Sequence, residues 1–202
     1  MSRHNKAAEF IISYFITPRV FFVTSELPFC GKNGTFALTN TYTHTMDTDN
    51  ITVVLWDGRH ADDFVRLNRQ WIETFFEIEP SDIKLLGNPQ KEIIDTGGQI
   101  FFAVDGEGAA VGCCALVYHP DTKMHELAKM AVDPRAQGKG IGTRMGNALI
   151  AYAREHGVKK LFLEANTKLV ASVKLYRKLG FKDANATTTA YARCDLYMEM
   201  AL

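Results

Sequence analysis

The sequence predicts a mixed α/β domain in which helices flank a mostly antiparallel sheet. Three observations support this prediction. Short apolar strand segments alternate with amphipathic helix segments, a hairpin turn joins two strands, and the last strand shows clean two-residue alternation. The order is strand, two helices, three antiparallel strands, helix, strand, helix and final strands, which is typical of one domain with helices packed on a sheet.

Hydrophobic periodicity and turn residues define each element. Phe64, Leu67 and Trp71 recur at three- and four-residue intervals, which predicts an amphipathic helix. Ser81 is expected to cap a second helix, which Asn88-Pro89 interrupts. Residues 105–108 (Asp-Gly-Glu-Gly) predict a hairpin turn. In order, the predicted elements are strand 51–56, helix 60–78, helix 81–95, strand 99–104, strand 109–118, strand 125–132, helix 138–156, strand 160–165, helix 168–179 and strand 191–200.

The N-terminal quarter of the chain lacks the clear periodicity that begins at Ile51. We therefore expect a domain at residues 50–202, preceded by a poorly patterned extension at residues 1–49. Two interpretations of the extension stay open. In one, the functional unit starts near Met46, and the upstream stretch is disordered or follows a mis-assigned start. In the other, the extension is a genuine N-terminal arm.

Composition excludes several classes of protein. Of the 202 residues, 47% are apolar, which is ample for a core. The 23 basic and 23 acidic residues balance, so the formal net charge is zero. This balance argues against non-specific binding to nucleic acid or to an anionic membrane. No apolar run approaches the roughly 18 residues of a membrane span.

The cysteine and histidine spacings predict no metal site. The four cysteines form no C-x-x-C pair, and the six histidines show no H-E-x-x-H spacing. Cys113 and Cys114 are adjacent in an apolar strand pattern, which indicates buried thiols in a reducing compartment. Residues 10–23 faintly resemble a signal peptide, but Glu9 opens the apolar run and no small-x-small cleavage site follows closely. We therefore expect a cytoplasmic protein.

A glycine-rich loop is the strongest functional signal. Residues 132–142 read Val-Asp-Pro-Arg-Ala-Gln-Gly-Lys-Gly-Ile-Gly, so a strand is followed by a short loop and by a helix that opens on glycines. The free N–H groups and the positive dipole end of such a helix suit a phosphate or pyrophosphate. Glycine lets the ligand approach the backbone closely, and Arg135 and Lys139 can add positive charge.

Two common phosphate-binding loops do not fit this segment. A Walker A loop needs Ser or Thr after Gly-Lys, but Gly140 follows Lys139. The dinucleotide pattern G-x-G-x-x-G begins at Gly138 and meets Thr143 where its last glycine should stand. ATP, GTP and NAD are therefore disfavoured as ligands.

Three segments together resemble the GCN5-related N-acetyltransferase (GNAT) superfamily. They are Gln137-x-x-Gly140-x-Gly142 after a Val-Asp-Pro turn, the strand at 160–165, and Leu-Tyr-Arg-Lys-Leu-Gly-Phe at 175–181. The resemblance covers roughly residues 50–202. It implies the acyl-CoA N-acyltransferase fold, with acetyl-CoA in a cleft where the fourth and fifth strands separate.

The resemblance also implies which residues hold acetyl-CoA. Backbone groups of β-strand residues would bind the pantetheine arm, and backbone N–H groups of the loop would bind the pyrophosphate. Many members have asparagine where Leu169 stands, so Ser172 is expected to take over part of that role. Asn166 would hydrogen-bond the pantetheine or the adjoining loop. The full expected set is Met130, Ala131, Val132, Arg135, Gln137, Gly138, Lys139, Gly140, Ile141, Gly142, Asn166 and Ser172.

By the same resemblance, two residues are candidates for proton transfer. N-acylation by a thioester needs a base for the amine and an acid for the departing thiolate. Glu126 is the expected base, and the alternative is a structural carboxylate paired with Lys129, Arg135 or a neighbouring strand. Tyr176 is the expected acid, and the alternative is a core residue whose hydroxyl reaches solvent. Glu73 and Glu77, on the first helix, are rival bases whose favoured interpretation is a solvated helix face.

The resulting expectation is an enzyme that transfers acetyl from acetyl-CoA to a primary amine by direct attack in a ternary complex. The alternative is a non-catalytic acyl-CoA-binding regulatory module. The acceptor, a small molecule or a protein, would be chosen by the first two helices and by residues 119–124. The candidate aromatic residues for that slot are Trp71, Phe75, Phe76 and Tyr118. Family members often dimerise, so a homodimer is one expected state.

Overall fold

The computed structural model describes residues 50–185 and 189–202. Within them, the strands are β1 (Thr52–Leu55), β2 (Gln99–Val104), β3 (Ala110–His119), β4 (Met124–Val132), β5 (Lys160–Ala165), β6 (Lys182–Ala184) and β7 (Leu196–Ala201). The α-helices are α1 (Ala61–Phe75), α2 (Pro80–Gly87), α3 (Ile141–Glu155) and α4 (Val170–Leu179). The predicted N-terminal extension, residues 1–49, lies outside the described residues.

All of these strands join one sheet, in the order β1-β2-β3-β4-β5-β7-β6. Every neighbouring pair is antiparallel except β4 and β5, which are parallel. The mixed, mostly antiparallel sheet with flanking helices is thus confirmed. The parallel pair requires a crossover connection, and α3 supplies it.

Each face of the sheet packs against two helices. Because side chains alternate along a strand, Ile100 and Phe102 of β2 face α1 and α2, whereas Phe101 faces α3 and α4. Phe64 and Ile72 of α1 are fully buried on the first face. Met145, Leu149, Leu161 and Met198 fill the second face. The described helices therefore cover both faces of the sheet.

The predicted second helix is shorter than expected. It ends at Gly87, and a separate π-helical turn follows at Gln90–Ile94. The prediction that Ser81 caps it was wrong. Glu79 is the N-cap, and its backbone N–H donates to Asp82 Oδ2 at 3.1 Å in a capping box. The Ser81 hydroxyl instead donates to the Ala190 carbonyl at 2.9 Å.

The predicted final strand begins later than expected, and the short strand β6 was missed. Residues 191–195 alternate as a strand would, but they form a turn, and β7 starts at Leu196. The reason is tertiary. Tyr191 receives a hydrogen bond from Lys129, and Arg193 is held by Asp82 and Glu79. These contacts draw the segment away from the sheet, and a local hydrophobic pattern cannot report them.

Cys113 and Cys114 are free and buried, as predicted, and Cys194 is free and half-buried. In the described segments, no group of three His, Cys, Asp or Glu side chains is placed to hold a metal ion. Across the same residues, no helix is both long and apolar enough to cross a bilayer.

Candidate active site

The neighbouring strands β4 and β5 separate after a short stretch of pairing. Their pairing is confined to His125↔Leu161 and Glu126↔Phe162. Beyond that point β4 continues to Val132 and β5 to Ala165 without pairing to each other. Backbone N–H and C=O groups on this edge of β4 therefore lack strand partners and face a gap in the sheet. Such an edge can bind an extended ligand that carries amide groups.

A β-bulge lies beside the same gap. Ala115 pairs with Ala128 and Cys113 pairs with Ala131, so two residues of β4 stand opposite Cys114 alone. Lys129, the first of the two, has φ 53°, in the left-handed region that non-glycine residues rarely adopt. A bulge of this kind re-aims side chains and twists the strand. Here it falls in the part of β4 that does not pair with β5.

The glycine loop follows β4 and leads into α3. Gly138 and Gly140 have φ values of 77° and 75°, and Gly140 is the N-cap of α3. A Cβ added to either glycine would meet nothing within 4 Å, so the space beside this backbone is open. A Cβ on Gly142 would come within 2.9 Å of Leu175, so the helix start packs tightly on α4. The loop thus presents an open backbone at a helix N-terminus.

A cavity of about 590 Å³ occupies the gap, within the range of small-molecule sites. It reaches from the glycine loop, past the unpaired edge of β4, to the C-terminal end of α1. Most of the predicted site residues line it: Glu126, Met130, Ala131, Val132, Gln137, Gly138, Gly140, Ile141, Gly142, Asn166, Ser172 and Tyr176. Two predicted residues, Arg135 and Lys139, are not part of the lining. The Arg135 guanidinium is bound by Asp133, with Nε 3.0 Å from Oδ1.

Glu126 lies at the floor of the cavity, where the strands begin to separate. Its side chain is buried, and Oε2 is 2.8 Å from Nε2 of His119 on β3. This hydrogen bond raises the pKa of His119, against the opposing effect of burial. His119 remains partly exposed, with 35% of its side chain accessible. The pair therefore links a buried carboxylate to solvent through an imidazole.

Tyr176 approaches the cavity from the opposite face of the sheet. It lies on α4 within the core that packs against α3, whereas Glu126 is paired with Val117 on the α1–α2 face. Its hydroxyl makes no hydrogen bond with a described residue, and no fully buried side-chain oxygen in these parts of the chain lacks a partner. The hydroxyl therefore reaches the cavity. Burial, with the nearby Cys114 and Glu126, raises the pKa of Tyr176, so its hydroxyl stays protonated at neutral pH.

The side chain of Asn166, at the end of β5, forms hydrogen bonds with the backbone of the adjoining loops. Its amide nitrogen donates to the Arg193 carbonyl at 2.6 Å, and its oxygen accepts from the Lys168 N–H at 2.9 Å. Of the two roles expected for it, the contact with a neighbouring loop is present. Leu169 and Ser172, which follow it, both line the cavity.

The first helix supplies the aromatic side of the cavity. Trp71, Phe75 and Phe76 line it, as expected. Tyr118 and residues 119–124, the other parts expected to select the acceptor, do not. The rival bases Glu73 and Glu77 are exposed and lie outside the lining, and Glu73 pairs with Arg69 at 2.5 Å. The favoured interpretation of both as solvated residues therefore agrees with their position.

A buried charged cluster beside the cavity was not predicted. Asp82 has no exposed surface, and it accepts from Lys129 Nζ at 2.5 Å and from both Nη atoms of Arg193 at 2.7 and 2.8 Å. Lys129, Arg193 and Tyr191 line the cavity, as does Glu164 of β5. The one available signal was Lys129, a cation within an otherwise apolar strand segment. Its partners come from distant parts of the chain.

Comparisons with known proteins agree on one family. The model of the acetyltransferase (GNAT) family matches residues 64–181. The rat N-acetylaspartate synthetase is 33% identical over 90 residues, which are 45% of this chain and 30% of that protein. A mycothiol acetyltransferase from Saccharomonospora viridis is 27% identical over 143 residues, which are 67% of this chain and 46% of that protein. The chain thus spans less than half the length of either relative.

Solved structures share the fold. A GNAT-family acetyltransferase from Staphylococcus aureus superposes with a TM-score of 0.67 at 17% identity, covering 75% of this chain and 98% of its own. A phosphinothricin acetyltransferase from Sinorhizobium meliloti, in complex with acetyl-CoA, gives 0.62 at 20% identity, covering 76% and 89%. Because the family model spans more than half of the sequence and the folds agree, this chain belongs to the acetyltransferase (GNAT) family, as its motifs predicted.

Proposed function

We propose that residues 50–202 form a catalytic domain that transfers an acetyl group from acetyl-CoA to a primary amine. The observation that carries the proposal is the cavity between β4 and β5. It joins an open glycine loop at one end to a buried carboxylate and an unpartnered tyrosine hydroxyl. A thioester seated in the gap would have Glu126 on one face of the sheet and Tyr176 on the other.

The donor half of the cavity suits the two polar parts of coenzyme A. The N–H groups of the loop from Gln137 to Gly142, at the positive end of α3, favour the pyrophosphate. The unpaired edge of β4 at Met130 to Val132 offers hydrogen bonds to the amides of the pantetheine arm. Ser172 adds a hydroxyl at the start of α4.

The chemistry then needs two side chains that line the cavity and the imidazole that is bound to one of them. Glu126 accepts a proton from the ammonium of the acceptor, and His119 can relay it to solvent. The neutral nitrogen attacks the thioester carbonyl carbon, so a C–N bond forms and the C–S bond breaks. Tyr176 donates a proton to the departing thiolate, and the remaining surplus proton on nitrogen restores the hydroxyl. The products are the acetamide and free coenzyme A.

Two measurements on the full chain test this function. We expect acetyl-CoA to raise the melting temperature, while ATP and NAD leave it unchanged, because only a ligand of the native state shifts unfolding. We also expect thiol release when acetyl-CoA is mixed with a panel of amines. Tight acetyl-CoA binding without thiol release from any amine would support the regulatory-module alternative. A shift with ATP alone would overturn both.

Changing one glycine of the loop should weaken donor binding selectively. In Gly140→Ala the new Cβ projects beside the N–H groups that face the cavity, and we expect the KM for acetyl-CoA to rise about tenfold. Steady-state kinetics with acetyl-CoA varied gives this value.

The matched control is Gly157→Ala. Gly157 has the same φ of 75° and equally open surroundings, but it lies outside the cavity lining. Both variants should lose about 1–2 kcal/mol of stability, the cost of a left-handed residue with a Cβ. An equal rise in KM for both variants would show that the loop acts only through stability.

A further inference from the structure

The acceptor half of the cavity points to a substrate class. We propose that the acceptor is a protonated amine attached to an apolar or aromatic group, with no carboxylate beside the amine. This inference rests on the proposed acetyl transfer and goes beyond it, because acetyl transfer alone does not select among amines. Three features of the cavity lining support it: two cations that are already paired with carboxylates, two further carboxylates, and an exposed aromatic surface.

The two buried cations of the wall are already neutralised. Arg193 makes a double hydrogen bond to Asp82 and a further one to Glu79 Oε1 at 3.2 Å. Lys129 Nζ shares Asp82 Oδ1 with Arg193 Nη2, and it also donates to the Tyr191 hydroxyl. Two cations therefore face two carboxylates, so an incoming carboxylate would have to displace a buried ion pair.

The remaining cation of the lining, Lys168, does not change this balance. It is exposed, and it lies close enough to Asp195 to contribute to the lowered pKa of that carboxyl group, whose main cause is the hydrogen bond from the Thr167 side chain. Its charge is therefore matched by Asp195 and shared with solvent.

Two carboxylates are left facing the cavity. Among the described residues, the Glu126 side chain is hydrogen-bonded by the imidazole of His119, which can add at most one positive charge against the two carboxylates. Glu164 lies two positions beyond Phe162, the strand partner of Glu126, and therefore points to the same face of the sheet. Its oxygens accept from the Ala190 N–H at 2.9 and 3.0 Å, and it forms no ion pair with a described residue. Burial and the nearby Glu126 raise the pKa of Glu164, so a cation placed between the two would be stabilised.

A third part of the lining is aromatic. Phe75, at the last position of α1, keeps 58% of its surface exposed although it lines the cavity. Beside it, Trp71 and Phe76 form an edge-to-face pair with ring centroids 6.3 Å apart. An aromatic surface that stays exposed in a cavity is available to cover an apolar group of a ligand. The two carboxylates and this wall together match an ammonium with an apolar or aromatic body.

A matched pair of acceptors tests the proposal with the unaltered protein. Phenethylamine and phenylalanine differ by one carboxylate beside the amine, and ethylamine lacks the ring. We expect kcat/KM for phenethylamine to exceed that for phenylalanine, and that for ethylamine, by about tenfold or more. Equal or better rates with phenylalanine or aspartate would overturn the proposal. No thiol release from any amine would instead refute the proposed acetyl transfer.

Two variants locate the selectivity. Phe75→Ala should lower kcat/KM for phenethylamine about tenfold and leave ethylamine unchanged. Ile83→Ala is the control, because Ile83 is similarly exposed at 64% but lies outside the cavity lining. Glu164→Gln should shrink the preference for phenethylamine over phenylalanine about tenfold, with the acetyl-CoA melting shift retained. An unchanged preference in Glu164→Gln would remove Glu164 from the acceptor site.

Discussion

Replacing Glu126 with glutamine is expected to lower kcat about 10²–10⁴-fold, the usual contribution of a general base. Glutamine keeps the shape of the side chain but cannot accept the proton of the acceptor ammonium. The KM for acetyl-CoA should stay nearly constant, because the glycine loop and the edge of β4 are untouched. Initial rates with both substrates varied, together with the acetyl-CoA melting shift, check both statements.

Two further variants make this prediction specific. Glu155→Gln, at the exposed end of α3, removes an equivalent charge outside the cavity and should leave kcat unchanged. Glu164→Gln should act on acceptor discrimination and only weakly on kcat. A larger loss of kcat in Glu164→Gln than in Glu126→Gln would assign the role of general base to Glu164 on β5 in place of Glu126 on β4. Comparable losses in Glu126→Gln and Glu155→Gln would point to a general charge effect.

Replacing Asp82 with asparagine is expected to lower the free energy of unfolding by about 3–5 kcal/mol. Asp82 is fully buried and binds two cations. Its replacement removes the carboxylate that Lys129 and Arg193 share, and both side chains remain charged. Urea denaturation should show a lower midpoint with an unchanged m-value. The control is Asp183→Asn, which breaks an exposed pair with Arg177 and should cost about 0–1 kcal/mol.

The stability difference between the wild type and Asp82→Asn should depend on pH. Burial by itself would raise the pKa of Asp82, but the hydrogen bonds from Arg193 and Lys129 outweigh it and lower the pKa from 3.8 to about 2. A depressed pKa stabilises the folded state above the unfolded value and loses that effect as the pH falls through the folded value. The difference in the free energy of unfolding between the two proteins should therefore be largest at neutral pH and should decrease from about pH 4 to about pH 2. A difference in the free energy of unfolding that stays constant over this range would contradict the ion-pair explanation.

The elements were readable from sequence where their causes are local. The hairpin at residues 105–108 forms because Asp105 Oδ1 accepts the N–H groups of Glu107 and Ala109, and Gly108 takes φ 85°. The glycine loop is equally local, since its function as an open helix start depends on adjacent residues. For the same reason the Walker A loop and the dinucleotide-binding loop could each be rejected at a single position, Gly140 for the first and Thr143 for the second.

The acceptor half of the site could not be read in this way. Asp82 is separated along the chain from Lys129 by 47 residues and from Arg193 by 111 residues. Lys129 reaches Asp82 because a bulge in β4 re-aims it, and the bulge exists only relative to the register of β3. The partly exposed His119 likewise reaches Glu126 only through strand pairing.

The sequence by itself determined the family, the order of the strands and helices, and the loop that starts α3, because these depend on periodicity and on contiguous residue types. Only the tertiary structure decided where β4 and β5 separate, which carboxylates of the described cavity lining have no lysine or arginine partner, and why residues 191–195 leave the sheet. Those features are set by contacts between residues far apart in the chain. Their energies depend on burial and charge pairing, which no local pattern encodes.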